Sequence, residues 1–399
     1  MKILCIDQFS ELGGAQQCLR DLAPFMTDAG FKLSAMLPPG GPLVDSMRRA
    51  GVPVDELPIG AYACGPKTAS DVLRFPVDTL RAASAIRRAV DRDRIDLVYV
   101  NGPRVLPAAV LAGVPIVFHA HNVVGHGYAR ALLRWCFHRF DGPVIAVSRF
   151  VANTLAGLLP SDRLKVVHNG VFAPAPAERN FKGSSPWVGI VGRISPEKGH
   201  LDFIRAAGIV ARADPDVRFV VVGAPMFSKT PFSGTTFDET LRQMPESSRI
   251  RFLGWSDDIP GSFAKIDILA VPSAEEPFGR VVIEAFAAGT PVVAYPSGGI
   301  PELIEHGRTG LLTRAFSAES LAAEIRFLIE RPGEMLRLSA AGRKEFERRF
   351  TLERFARNVC GVLSEAKLKS GPQQPGQDPR VMPDPSYEES HAQNATSHS

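Results

Sequence analysis

Two glutamates, Glu276 and Glu284, stand eight positions apart in the segment Glu275-Glu276-Pro277-Phe278-Gly279-Arg280-Val281-Val282-Ile283-Glu284-Ala285-Phe286-Ala287-Ala288-Gly289. From 281 to 288 every residue except Glu284 is apolar. A carboxylate in such a run cannot easily face water and needs polar partners. The hydroxyls of a bound molecule or an arginine of the core would both serve. Pro277 and Gly279 mark a loop leading into a helix, and Gly289 marks its exit. Eight residues rise ~12 Å along a helix, and the first turn of that helix offers unpaired N–H groups to an anion. A long ligand with hydroxyls at both ends and a diphosphate between them, such as a nucleotide sugar, fits this spacing.

A second cluster is Gly189-Ile190-Val191-Gly192-Arg193-Ile194-Ser195-Pro196-Glu197-Lys198-Gly199-His200. It reads as a strand, a tight turn and a helix beginning near His200. Arg193 brings a planar fork suited to phosphate oxygens, and Lys198 a compact positive charge. Gly13-Gly14 follows the first strand and permits close backbone approach to a ligand. It is not G-x-G-x-x-G, so the dinucleotide fingerprint is missing. The strand Pro115-Ile116-Val117-Phe118-His119-Ala120-His121-Asn122 ends in two histidines on one face. No third metal ligand accompanies them, so His121 is expected as a polar group of a cleft and His119 as a packed, hydrogen-bonded one. Ser297-Gly298-Gly299-Ile300-Pro301-Glu302 is a further glycine turn whose N–H groups could meet phosphate. Asp91-Arg92-Asp93 and Asp214-Pro215-Asp216 spell D-x-D but read as polar helix-end and turn segments.

The elements that must position these residues alternate. Strands are predicted at 2–7, 32–37, 95–100, 115–119, 143–147 and 164–167, and helices at 15–29, 78–93 and 127–140. Near-continuous apolar runs indicate strands buried on both faces, and β-then-α order indicates a parallel sheet. Residues 172–186 are proline-rich and without apolar periodicity, as a linker would be. The alternation restarts with strands near 187–191, 217–222, 250–253, 267–271 and 291–295, then helices at 318–330, 332–348 and 351–368. The expected fold class is α/β: two doubly wound, Rossmann-like parallel-sheet domains facing a central cleft, at residues 1–172 and 187–350. Beyond Ser370 the composition is that of a disordered tail, 370–399.

The 399 residues carry 46 Lys+Arg against 42 Asp+Glu. The excess sits in residues 1–180, with 20 basic against 15 acidic side chains. That is too little for a nucleic-acid partner, yet it permits a phosphorylated ligand or an anionic membrane surface. Cys5, Cys18, Cys64, Cys136 and Cys360 show no C-x-x-C spacing, which predicts a reduced, cytoplasmic protein without disulfides or zinc. No apolar run is long enough to span a membrane. Within 127–140, Arg130, Arg134 and His138 recur beside an apolar stripe of Leu133, Phe137 and Phe140, with Trp135 alongside. That pattern suggests a helix able to rest on anionic lipid at the cytoplasmic face of a membrane.

Taken together these motifs resemble the retaining family-4 glycosyltransferases of the GT-B fold. The resemblance runs over roughly residues 1–366. It comprises E-x7-E (Glu276, Glu284), G-R-x-x-x-E-K-G (Gly192 to Gly199), the Gly13-Gly14 loop, P-x5-H-D/N (Pro115, His121, Asn122), Asn169-Gly170-Val171 and the G-G-x-P-E turn. It implies a transferase moving a sugar from a nucleotide-diphosphate donor to a hydroxyl acceptor, in polysaccharide, glycolipid or other glycoconjugate synthesis. Arg193 and Lys198 would hold the diphosphate, Glu284 the ribose and Glu276 the transferred sugar. Backbone of Phe278, Gly279 and Gly14 would approach the donor, and His121 would lie near sugar and acceptor. No cofactor or metal is expected. The last helix, 351–368, would return to the first domain. The segment Pro225–Gln243 departs from the common pattern, and acceptor choice is expected in the loops 59–76 and 122–128. A non-hydrolysing nucleotide-sugar epimerase of the same architecture is the rival reading.

Overall fold

A computed structural model describes residues 1–60, 69–125, 127–174, 186–224, 249–256 and 258–369. The tail, the segment Pro225–Gln243, most of the linker, residues 61–68 and residue 126 lie outside the described residues.

The first sheet has seven parallel strands: β1 (Lys2–Ile6), β2 (Lys32–Leu37), β3 (Val54–Glu56), β4 (Leu97–Val100), β5 (Ile116–Ala120), β6 (Val144–Ala146) and β7 (Leu164–Val166), in the order β3-β2-β1-β4-β5-β6-β7. Its helices are α1 (Gly14–Asp28), α2 (Pro42–Arg49), α3 (Ala69–Asp93), α4 (Leu106–Ala112), α5 (Tyr128–Phe137) and α6 (Arg149–Leu155). The second sheet has six: β8 (Trp187–Val191), β9 (Arg218–Val222), β10 (Ile250–Gly254), β11 (Ile268–Val271), β12 (Val292–Ala294) and β13 (Leu311–Leu312), in the order β10-β9-β8-β11-β12-β13. With it go α7 (His200–Ala213), α8 (Ile259–Phe263), α9 (Arg280–Ala288), α10 (Ile300–Leu303), α11 (Ala318–Ile329), α12 (Pro332–Arg349) and α13 (Leu352–Lys369).

In each sheet the strand order reverses beside its first strand, between β1 and β4 and between β8 and β11. Ligand crevices open at the carboxyl ends of strands at such switch points. The residues that follow these four strands, Asp7, Asn101, Gly192 and Pro272, therefore begin the walls of any cleft. The strands predicted from apolar runs are present. Two were not anticipated: β3, whose Val-Asp-Glu has one apolar residue, and β13, which is two residues long.

Helix α3 begins at Ala69, nine residues before its predicted start. Pro76 lies inside it; proline removes one backbone donor and reads as a boundary in sequence. The expected loop 59–76 is thus helical from Ala69 onward. In α5, Leu133 and Phe137 are buried, as is Phe140 just beyond. Arg130 is committed to the carbonyls of Thr154, at 2.5 Å, and Ala156, at 3.3 Å. The apolar stripe of the helix expected to meet lipid faces inward.

The chain crosses between the domains twice, and the crossings pair: Val171 N–H donates to Phe350 O at 3.0 Å, and Leu352 N–H donates to Val171 O at 3.0 Å. Helix α13 then packs on the first domain, burying Leu352, Phe355, Val359 and Leu363 in the same apolar cluster as Leu19 and Leu22 of α1. Beneath the cleft, buried apolar residues run on from Ala146 and Val151 to Phe278, Ile300 and Leu303 of the second domain.

Candidate active site

A cleft of about 500 Å³ lies between the carboxyl edges of the two sheets. Gly13, Gly14, His121, Arg193, Lys198, Glu276, Phe278, Gly279 and Glu284 all line it, so the residues to which the resemblance gave a role reach one cavity.

On the second-domain wall, the turn after β8 carries Arg193, and a 3-10 turn, Pro196–Lys198, carries Lys198. Gly199 closes that turn at φ 73°, and a Cβ there would stand 1.9 Å from the Pro272 carbonyl oxygen. Glycine is thus required for the turn to lie against the end of β11. Lys198 Nζ donates to Glu276 Oε2 at 2.6 Å, and Arg193 pairs with Glu197. Glu276 is buried, at 6% exposure. It sits in the loop before α9 rather than on a helix, so the ~12 Å helical spacing to Glu284 does not apply. Only the four positions from Arg280 to Glu284 rise along the helix, about 6 Å. The glycine turn 297–299 supports Glu276 from behind: Gly299 N–H donates to Glu276 O at 2.8 Å. The N–H groups of Ser297, Gly299, Ile300 and Glu302 are used within the protein, and none of 297–302 lines the cleft.

Glu284 both lines the cleft and has an arginine partner. Arg280 Nε donates to Glu284 Oε1 at 2.8 Å, and Arg280 Nη2 crosses to Asp21 Oδ2 of α1 at 2.7 Å. Its Nη1 reaches Cys18 Sγ at 3.4 Å. Burial pushes the Glu284 carboxyl upward and Arg280 opposes the shift. Sequence reading missed Arg280 and Asp21. The i, i+4 spacing of Arg280 and Glu284 was the available signal.

The first-domain wall is built differently. Asp7 and Asn101 end β1 and β4, side by side at the switch point. Asn101 Nδ2 donates to Asp7 Oδ2 at 2.5 Å and to Ala15 O at 3.1 Å, and Gln16 Nε2 donates to Asp7 Oδ1 at 2.8 Å. The amide nitrogen of Asn101 is therefore committed, and its Oδ1 faces His121 Nε2 at 2.8 Å. His121 must carry its proton on Nε2, leaving Nδ1 as the ring's acceptor. Burial lowers the His121 pKa to about 3, with Arg280 contributing, so the ring is neutral. Burial also lifts Asp7 to about 6, against the hydrogen bonds from Asn101, Phe9 and Gln16. His119 bonds Tyr99 through Nδ1 and stacks beside His121 with ring centroids 3.9 Å apart. Asn169 lines the cleft with its buried Oδ1 unpartnered.

Glu302 has a structural task across the domain boundary. It accepts from Arg149 N–H at 2.9 Å and Phe150 N–H at 2.8 Å, at the N-terminus of α6, and from His168 at 3.0 Å. Ser148 Oγ donates to Pro277 O at 2.6 Å, holding the Glu276 loop against the first domain. Of the D-x-D segments, Arg92 pairs with Asp55 and Asp93, Asp214 pairs with Arg326, and neither segment lines the cleft.

Two parallel-sheet domains with a polar cleft at their facing carboxyl edges define the GT-B architecture. The profile of the family described as Glycosyl transferases group 1 matches residues 173–345, and that of Glycosyltransferase Family 4 matches residues 12–172. The chain belongs to this family of glycosyltransferases. Among relatives, the D-inositol 3-phosphate glycosyltransferase of Segniliparus rotundus is 34% identical over 224 residues, 51% of this chain and 49% of that protein; the match spans about half the relative's length. The alpha-maltose-1-phosphate synthase of Mycolicibacterium smegmatis is 31% identical over 64% of this chain and 74% of its own. Among solved structures, Anabaena Alr3699/HepE in complex with UDP-glucose superposes with a TM-score of 0.76 at 26% identity, covering 92% of this chain and 100% of that one.

Proposed function

We propose that this protein transfers a sugar from a nucleotide-diphosphate sugar to a hydroxyl acceptor with retention of anomeric configuration, in polysaccharide, glycolipid or related glycoconjugate synthesis. The observation that carries this is the side-chain set at the second-domain switch point: Lys198 held at 2.6 Å from Glu276, Arg193 in the adjoining turn, and Glu284 one helical turn into α9. A uridine nucleotide is the favoured donor, since the HepE structures were solved with UDP and UDP-glucose.

Breaking the anomeric C–O bond builds positive charge on the sugar and negative charge on the departing diphosphate. Arg193, Lys198 and the N–H groups opening α9 stabilise the latter. Glu276 receives hydroxyls of the transferred sugar, and Glu284, steadied by Arg280, those of the ribose. A departing phosphate oxygen takes the acceptor's proton, so attack comes from the face the diphosphate leaves. Neutral His121 contributes an acceptor without adding charge beside the sugar. The two cations supply the neutralisation a divalent ion would otherwise bring, so transfer proceeds without metal. The free cysteines Cys5, Cys18, Cys136 and Cys360 support a reducing, cytoplasmic setting. Among the described residues no helix is long and apolar enough to cross a membrane, and any membrane contact is peripheral.

A panel of nucleotide sugars, scored by thermal shift and by nucleoside diphosphate release, tests the proposal. One donor should stabilise the protein and be consumed only when a hydroxyl acceptor is present. Interconversion of free nucleotide sugars without acceptor would instead establish the epimerase.

A further inference from the structure

Large apolar side chains exposed to solvent gather on α3: Val72, Leu73, Val77 and Leu80 are 59%, 75%, 47% and 63% exposed. No other helix among the described residues exposes more than one. Leu73, Val77 and Leu80 stand at i, i+4 and i+7, a single stripe along the helix. The face opposite is the one the fold uses: Ala82, Ala83, Ile86 and Ala89 are buried against the sheet.

The charges around this stripe are mainly cationic. Arg74, Arg81 and Arg88 recur every seventh residue, roughly a quarter turn round the helix from Leu73. Arg87 lies on the other side, paired with Asp91 at 3.2 Å and donating to Ala112 O at 3.1 Å. Between residues 72 and 90 there is one acidic side chain, Asp78; it is buried and accepts from Gly60 N–H at 3.0 Å. From Val72 to Val90 the exposed surface is therefore apolar and cationic, and the nearest exposed acid, Asp91, stands beyond its end with Arg87 as partner. A second copy of the chain is a poor occupant, because a two-fold pairing would set one arginine row near the other. An anionic lipid bilayer satisfies both features: the stripe enters the headgroup–acyl boundary while the guanidinium groups stay at phosphate level.

We infer that α3 is a membrane-docking surface for anionic phospholipid. It takes that role from α5, whose stripe residues Leu133 and Phe137, with Phe140 just beyond, are buried. The helix also adjoins the cleft. Asp78 and Thr79 share a small groove with Arg104 and Val105, and Arg104 N–H donates to Gln8, which lines the cleft. An acceptor anchored in the docked bilayer would approach the site from the α3 side; this last step rests on the transferase reading, whereas lipid binding does not.

The test is flotation of the full-length protein with vesicles of phosphatidylglycerol and phosphatidylcholine, against phosphatidylcholine alone, at low and high salt. The wild type should float with the anionic vesicles only, and less at high salt. The pair Leu73→Asp and Leu80→Asp should lower binding at least about tenfold. The pair Arg81→Glu and Arg88→Glu should do the same and abolish the salt response. Both variants should keep the thermal shift given by UDP. Absence of wild-type flotation, flotation of both variants equal to wild type, or a soluble dimer abolished by the same substitutions would overturn the inference. Flotation without any nucleotide response would leave the docking surface standing and remove the transferase reading; a nucleotide response without flotation would do the reverse.

Discussion

The two walls of the cleft solve different problems with different chemistry. The second-domain wall is made of charges that hold one another: Lys198 with Glu276, Arg193 with Glu197, Arg280 with Glu284. The first-domain wall is made of buried groups bonded in series, Asp7 to Asn101 to His121, with burial keeping the histidine uncharged. The contrast follows what each must meet. A diphosphate needs cations already in position; a sugar ring developing positive charge is better served by a neutral histidine than by a protonated one. Arg280 is the exception, since it belongs to one wall and pairs with Asp21 of the opposite domain.

Removing that exception should produce the largest effect. Arg280→Ala leaves Glu284 buried without its hydrogen-bonded cation and Asp21 with Arg20 alone, and should cost about 3–5 kcal/mol, read by denaturant unfolding. An unchanged midpoint would mean that the two walls are independent. Next come the cations: Lys198→Ala and Arg193→Ala should each lower kcat by about a hundred- to a thousandfold, measured as nucleoside diphosphate release. Loss of the same size on the first-domain wall, in His121→Ala, would erase the contrast drawn here. Glu276→Ala should fall at the lower end of that range, about a hundredfold, with sugar-nucleotide turnover as the readout.

A smaller effect is expected from pH. Burial holds His121 at about 3 and His200 at about 4, and lowers His119 well below its ordinary 6.5. The unfolded chain binds those protons first, so stability present above pH 6.5 is lost as pH falls, by about 1.4 kcal/mol per pH unit per histidine. Asp7 acts oppositely: raised from 3.8 to about 6, it makes the folded state the better proton binder within that window, so its contribution grows as pH falls from 6 to 3.8. His121→Gln should flatten the acid slope between pH 6.5 and 5 by about one histidine's share, seen in melting temperature against pH. A slope identical to wild type would show that His121 is not held neutral. The smallest change is expected for Glu302→Gln, which weakens the charge at the N-terminus of α6 by about 0.3–1 kcal/mol, again by thermal unfolding.

Much of this was legible in the sequence because strands buried on both faces are continuous apolar runs and because glycine and proline punctuate the turns around the site. The pairs that hold the site were less legible. Asp7 and Asn101 are 94 positions apart and meet only because β1 and β4 are neighbours in the sheet. Asp21 and Arg280 are 259 apart. Glu302 lay within a glycine turn that suggested phosphate, yet its carboxylate caps a helix of the other domain. Pro76 concealed the first turns of α3, and with them the exposed stripe.

The path of α13 bears on how the chain is made. The lobe translated first remains unfinished until α13 emerges, since Phe355, Val359 and Leu363 cover an apolar face contributed by α1. Cutting the gene at the linker would yield one half with an uncovered greasy face and another with a helix that has nowhere to settle. The two lobes are separate in architecture but not as products of synthesis.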